Sequence, residues 1–199
     1  MDFDFIEIGT SIFDTLCQSC SDTEKGISVE PIKSYLDQLP NKTNVTKVQT
    51  AITANRTSDF VDIYYFPESV IDDWSRWGDK SALKGCNSIG KYHDWHKGWE
   101  QYVTIEKVPL LNIDEFLTNQ NVRGIKYLKI DTEGHDCVIM NGLFDYLATK
   151  PSEYFPKKIM FETNSHTLAT DADAVLERAY RIGYVLVYRG FDTIIELPN

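Results

Sequence analysis

Side chains able to do chemistry cluster at three places in the sequence. In Ile6-Glu7-Ile8-Gly9-Thr10-Ser11, an apolar run ends in a glycine turn, as where the first strand of an open α/β sheet feeds its helix and ligands bind. A pyrophosphate there needs Gly-x-Gly-x-x-Gly, so that backbone amides and a helix N-terminus can approach it. Gly9 stands alone, and Glu7 sets a carboxylate against any pyrophosphate while suiting an ammonium group. Glu30 ends the second apolar run, 21 residues after Gly9, about where an acidic side chain accepts both hydroxyls of a ribose. An adenosine ligand with no phosphate and a cationic end, S-adenosylmethionine, meets both conditions; singly, Gly9 is also explained as a turn and Glu30 as a solvated strand end. The third place is Asp131-Thr132-Glu133-Gly134-His135-Asp136, directly after the apolar run Ile125 to Ile130.

The elements that must position these residues alternate between strand-like and helix-like runs, the pattern of a doubly wound, mostly parallel α/β sheet. Strands are expected at Phe3 to Ile8, Gly26 to Glu30, Lys47 to Thr53, Phe60 to Phe66, Ile125 to Ile130 and Ile159 to Glu162. Helices are expected at about Phe13 to Ser21, from Pro31 through Leu39, and at Ile113 to Asn119, where Asn112 and Glu115 form a capping box. Ile139, Leu143 and Leu147 repeat at helical spacing, and Thr170 to Ile182 is closed by Gly183. Tyr184 to Tyr188 and Thr193 to Leu197 read as a C-terminal antiparallel hairpin. The whole chain, 1–199, is expected to be one domain.

Pro67 to Val108 has no clear period and reads as a long insertion or lid. It holds all four tryptophans, Trp74, Trp77, Trp95 and Trp99, together with His93 and His96. Either this is a local aromatic core, or Trp95, His96 and Trp99 form a substrate-facing wall.

The 199 residues carry a formal charge of −10, which repels a phosphate backbone and argues against nucleic acid. No apolar stretch approaches the roughly 18 residues of a membrane span, and the start Met1-Asp2-Phe3-Asp4 is unlike a secretory signal, so a cytoplasmic protein is expected. Cys17, Cys20, Cys86 and Cys137 are too few and irregular for a disulfide framework, and Cys17-x-x-Cys20 lacks a second ligand pair for zinc. Helix packing is its expected role.

The order of Ile6-Glu7-Ile8-Gly9, Ser28-Val29-Glu30-Pro31, Thr50-Ala51-Ile52, Val108 to Leu117, Lys129-Ile130-Asp131-Thr132-Glu133-Gly134-His135-Asp136 and Phe161-Glu162 resembles the FkbM-type methyltransferases over nearly the whole chain. That resemblance implies a Rossmann-like class I methyltransferase fold and methyl transfer to oxygen, often on a sugar, glycan or polyketide hydroxyl. It places Glu7, Gly9, Thr10 and Ser11 at the cofactor's amino acid end, Glu30 and Pro31 at its ribose, Ala51 and Ile52 at its adenine edge, and Asp131 between cofactor and acceptor. The sequence departs from the family in its sparse glycine turn, with Ile12 and Phe13 where further glycines are common. It also lacks the N-terminal helix that helps cover the cofactor, a task expected of the aromatic insertion or a partner.

Because a sulfonium methyl is already activated, the protein must hold a hydroxyl in line and help remove its proton. His135 is the first candidate base, the alternative being a histidine that caps the following helix; Asp131 and Glu162 are the other catalytic candidates. The Asn-Pro-Pro-Tyr motif that grips a base amino group is absent. Asp131, Glu162 and Asn164, ending adjacent strands, are similar to the catechol O-methyltransferase type of magnesium site; without a metal, Glu162 contacts the acceptor and Asn164 starts a turn. Two other functions remain: a methyltransferase-like binding domain with weak catalysis, and a nicotinamide-dependent oxidoreductase.

Overall fold

A computed structural model describes residues 2–12, 15–74, 81–92, 96–164 and 166–198. Trp77 and Trp95 lie outside them. Seven strands form the main sheet in the order β10-β11-β9-β8-β1-β2-β3. The central pair is β1 (Asp2–Ile8) and β8 (Gly124–Ile130), parallel to each other and to β2 (Gly26–Val29), β3 (Val45–Val48) and β9 (Lys158–Glu162). At the far edge β11 (Asp192–Glu196) runs antiparallel to β9 and to β10 (Val185–Arg189), the expected closing hairpin. The fold is therefore mixed α/β with a mostly parallel central sheet.

Side chains alternate across each strand, and that alternation decides which face carries the core and which the chemistry. Ile6, Ile8, Leu128 and Ile130 turn to one face, where they pack with α5 (Ile113–Asn119), α6 (Asp136–Leu147) and α7 (Ala169–Arg181). Glu7 and Lys129 turn to the other face, toward the short α1 (Leu16–Ser19). α2 (Lys33–Gln38) packs with α1: Cys17, Leu36 and Leu39 form one buried cluster. Cys17 and Cys20 are free thiols, and the structure assigns Cys17 to packing, as expected.

The segment expected as one strand, Lys47 to Thr53, is two. After β3 the chain leaves the main sheet, Thr50 Oγ1 donates to the carbonyl of Pro109 (3.1 Å), and β4 (Ala51–Thr53) pairs with β7 (Thr104–Asn112) in a second sheet of order β4-β7-β5-β6. Here β5 is Phe60–Tyr65 and β6 is Ser88–Ile89. The insertion is thus structured, with α3 (Glu68–Trp74), α4 (Ser81–Lys84), β6 and most of β7. Pro109 masked the period-2 pattern of β7, in which Val108 and Leu110 are buried and Lys107 and Pro109 exposed. Tyr35 of α2 anchors this second sheet: it packs edge-on against Tyr65 (5.9 Å) and donates its hydroxyl to the carbonyl of Phe66 (3.2 Å).

Gly9 closes β1 at φ +81°, and a Cβ there would lie 1.9 Å from the carbonyl oxygen of Asp131. The two strand ends approach so closely that any side chain must push them apart. Gly9→Ala is expected to cost about 2–4 kcal/mol of stability, read as an earlier thermal unfolding; an unchanged Tm contradicts the tight contact.

Candidate functional site

The carboxyl ends of β1, β2 and β8, roofed by the second sheet, border a half-open cleft of about 160 Å³. Gly9, Thr10, Ser11, Glu30, Pro31, Ala51, Ile52, Asp131 and His135, all expected at a ligand site, line it together.

Glu30 is buried beneath the glycine turn. The backbone N–H of Ser11 donates to its Oε2 (2.8 Å) and that of Ile32 to its Oε1 (3.0 Å). These amides, with the Thr10 N–H and hydroxyl, fix the carboxylate but supply no countercharge, so burial pushes its pKa up to about 7. Ser11 stands at φ +49°, and its hydroxyl oxygen is buried without a hydrogen-bond partner, a polar atom at the cleft that a bound molecule can satisfy. Across the cleft, Ala51, Ile52, Ile63 and Ile89 make an apolar wall, the surface a flat aromatic base needs.

The far end is acidic. Ligand oxygens of Asp131, Glu133 and Glu162 lie within 4.8 Å of one another. Burial first, then repulsion from neighbouring carboxylates, raises Glu133 to about 8 and Glu162 to about 9; burial also lifts Asp131 above its ordinary value, against the pull of Lys129. Asp136 braces this rim from inside, accepting from the Thr132 hydroxyl (2.9 Å), the Thr132 N–H (3.3 Å) and the Glu162 N–H (3.1 Å). Glu133 reaches toward the insertion, where a Cβ on Gly85 would fall 2.4 Å from its Oε1.

Several expected site residues stand elsewhere. Glu7 does not line the cleft: it is fully buried, its Oε1 accepts from Lys129 (3.0 Å) and its Oε2 from the Leu16 N–H (3.0 Å). An ammonium ligand therefore finds both Glu7 oxygens engaged. His96 is buried under the insertion, edge-on to Phe66 (4.9 Å) with Nε2 2.6 Å from the Cys86 carbonyl, so it belongs to a local aromatic core. Trp99 stacks on Tyr102 (6.0 Å) and does not line the cleft, while Trp95 lies outside the described residues. Asn164 donates to Glu162 and accepts from the His166 N–H (2.8 Å), and Glu133 joins Asp131 and Glu162 as an acidic candidate ligand. Glu162 stands behind the lining, in the acidic group. His135 occupies the N-cap position of α6, but its side chain caps nothing: it lines the cleft with Nε2 3.0 Å from Thr53 Oγ1, and burial lowers its pKa.

Lys129, Glu133, Thr50, Asn87 and Ser88 also line the cleft and were not singled out from sequence. The first two sit inside the Lys-Ile-Asp-Thr-Glu-Gly run, so their signal was present; Asn87 and Ser88 lie in a stretch without periodicity.

The family model for the methyltransferase FkbM domain matches residues 7–185. The chain belongs to the FkbM methyltransferase family. That span contains every cleft-lining residue, from Ile8 to His135. Among curated proteins, none matches this chain in sequence. No helix among the described residues is long and apolar enough to cross a membrane.

The raised pKa of Glu30 links the site to stability. Between its ordinary 4.5 and about 7 the folded protein holds a proton that the unfolded chain has lost, so this contribution is full below pH 4.5 and lost as pH rises through 7. In Glu30→Gln that loss disappears: relative to wild type, the ligand-free variant is expected to gain up to about 3 kcal/mol between pH 4.5 and 8. Parallel stability curves in urea would contradict a buried, uncompensated Glu30.

Proposed function

We propose that this FkbM-family protein is an S-adenosylmethionine-dependent O-methyltransferase of the Rossmann-like class I kind, acting on a hydroxyl of a sugar, glycan or related small molecule. The observation that carries the reading is Glu30, a buried carboxylate at the cleft with amide contacts and no countercharge, facing an apolar wall. This donor set fits a nucleoside without phosphate: Glu30 accepts the ribose hydroxyls, while Ala51, Ile52 and Ile89 hold the adenine. The acidic end suits a sulfonium.

When bound, the cofactor supplies an activated methyl group. The protein's work is to exclude water, align the acceptor and manage one proton. His135, kept neutral near pH 7 by burial, takes the hydroxyl proton; Asp131 balances positive charge at this end. A second reading, favoured by the convergence of Asp131, Glu133 and Glu162, puts a divalent cation such as magnesium on these oxygens, where it would lower the acceptor's pKa. The reading as a nicotinamide-dependent oxidoreductase finds no glycine-rich pyrophosphate turn; a catalytically weak binding domain would share the cofactor site.

Calorimetry tests the cofactor. S-adenosylmethionine and its demethylated product are expected to bind and NAD not to, with Glu30→Ala weakening both by about 1–3 kcal/mol; binding of NAD alone overturns the reading. For the base, His135→Ala is expected to lower kcat about 100-fold or more with cofactor affinity within about twofold, and unchanged kcat moves the role to the carboxylates. Full activity after exhaustive chelation removes the cation.

A further inference from the structure

Glu7, Lys129 and Asp131 lie on one face of the sheet by register. Glu7 pairs across strands with Lys129, and Asp131 follows two residues on, so all three side chains leave the sheet on the same side. Lys129 Nζ is 3.0 Å from Glu7 Oε1 and 3.6 Å from Asp131 Oδ2. The three are not equivalent. Glu7 is shut away from the cleft, whereas Lys129 and Asp131 line it. An ammonium has three donor directions; one is spent on Glu7, one points toward Asp131, and the side chain keeps an exposed fraction of 13% at the cleft wall.

Enclosing this much charge is costly unless each group is matched. Glu7, fully buried behind it, and Asp131 flank the Lys129 ammonium with opposite charge on both sides. Next to a cation thus held stands a carboxylate, Asp131, and both line the cleft beside the adjoining turn Gly9–Ser11. A cation and an anion side by side on one wall match an amino acid end that carries an anion and a cation side by side.

We propose that Lys129 is the carboxylate-recognition residue of the cleft, pairing with the α-carboxylate of the cofactor's amino acid end while Asp131 takes its ammonium, and that Glu7 is the positioning residue that holds Lys129 there. This rests on the methyl-donor reading above and corrects the direct role that spacing gave Glu7. The site thereby selects a whole amino acid nucleoside over a bare nucleoside thioether.

Titration with two probes tests it: S-adenosylhomocysteine, which carries the amino acid end, and 5′-methylthioadenosine, which lacks it. Wild type is expected to prefer the former by at least about tenfold. Lys129→Met removes most of that preference and leaves methylthioadenosine affinity within about twofold. Because Lys129→Met strands a buried Glu7 charge, the double variant Lys129→Met/Glu7→Gln, which removes both charges, serves if the single variant fails to fold. An undiminished preference in either folded variant overturns the proposal, as does equal loss of both ligands at unchanged Tm. If wild type binds neither probe, the methyl-donor reading falls as well, an outcome distinct from selective binding of S-adenosylhomocysteine that survives the loss of Lys129.

Discussion

Everything at the carboxyl rim of the main sheet answers to one constraint, the confinement of many carboxylates in little space. Glu7, Glu30, Asp131, Glu133, Asp136 and Glu162 all end, or directly follow, the strands β1, β2, β8 and β9. Each meets the cost of burial differently. Glu7 has Lys129, Glu30 has backbone amides, and Asp136 has three donors from Thr132 and Glu162. Among the described residues Glu162 accepts from Asn164 alone, and both it and Glu133 are held protonated near neutral pH by burial and by the neighbouring carboxylates. A region arranged in this way is electrostatically incomplete, and in the proposed function a positively charged ligand completes it.

The second sheet is what makes the rim a cleft. β4 leaves the main sheet just after β3, so Ala51 and Ile52 join Ile63 and Ile89 in one apolar wall of the cleft. Tyr35 fixes that sheet to α2, and α2 begins just after Glu30; the acid at the cleft and the apolar wall are therefore set by the same helix. At the other end Gly85 comes up against Glu133. The insertion thus lines the cleft through residues 84–89, while Phe66 and His96 pack edge-on in a separate buried cluster with Ile71 and Cys86. Of the two sequence expectations for this stretch, the local aromatic core describes His96, and the wall of the cleft comes from its small and aliphatic residues.

Much of the site was legible because it depends on local spacing. Glu30 after its strand, the capping box of Asn112 and Glu115, and the run from Lys129 to Asp136 are short-range patterns, and each stands where the pattern puts it. What escaped was pairing at a distance. Glu7 and Lys129 are 122 positions apart, and nothing in either segment tells that they are cross-strand neighbours; Glu7 beside a glycine turn therefore read as a ligand contact. The break between β3 and β4 was hidden for the same reason, since Thr50 is held by Pro109, 59 positions on. His96 was misjudged by type, because a histidine among tryptophans reads equally as a sugar platform and as packing, and burial decides between them.

The central claim is that Glu30 and the facing apolar wall hold an adenosine. A crystal structure of the protein with S-adenosylhomocysteine tests it most directly. The account predicts both ribose hydroxyls within hydrogen-bonding distance of the Glu30 carboxylate and the adenine against Ala51, Ile52 and Ile89. A nucleoside bound with its ribose away from Glu30, or bound outside this cleft, would contradict it.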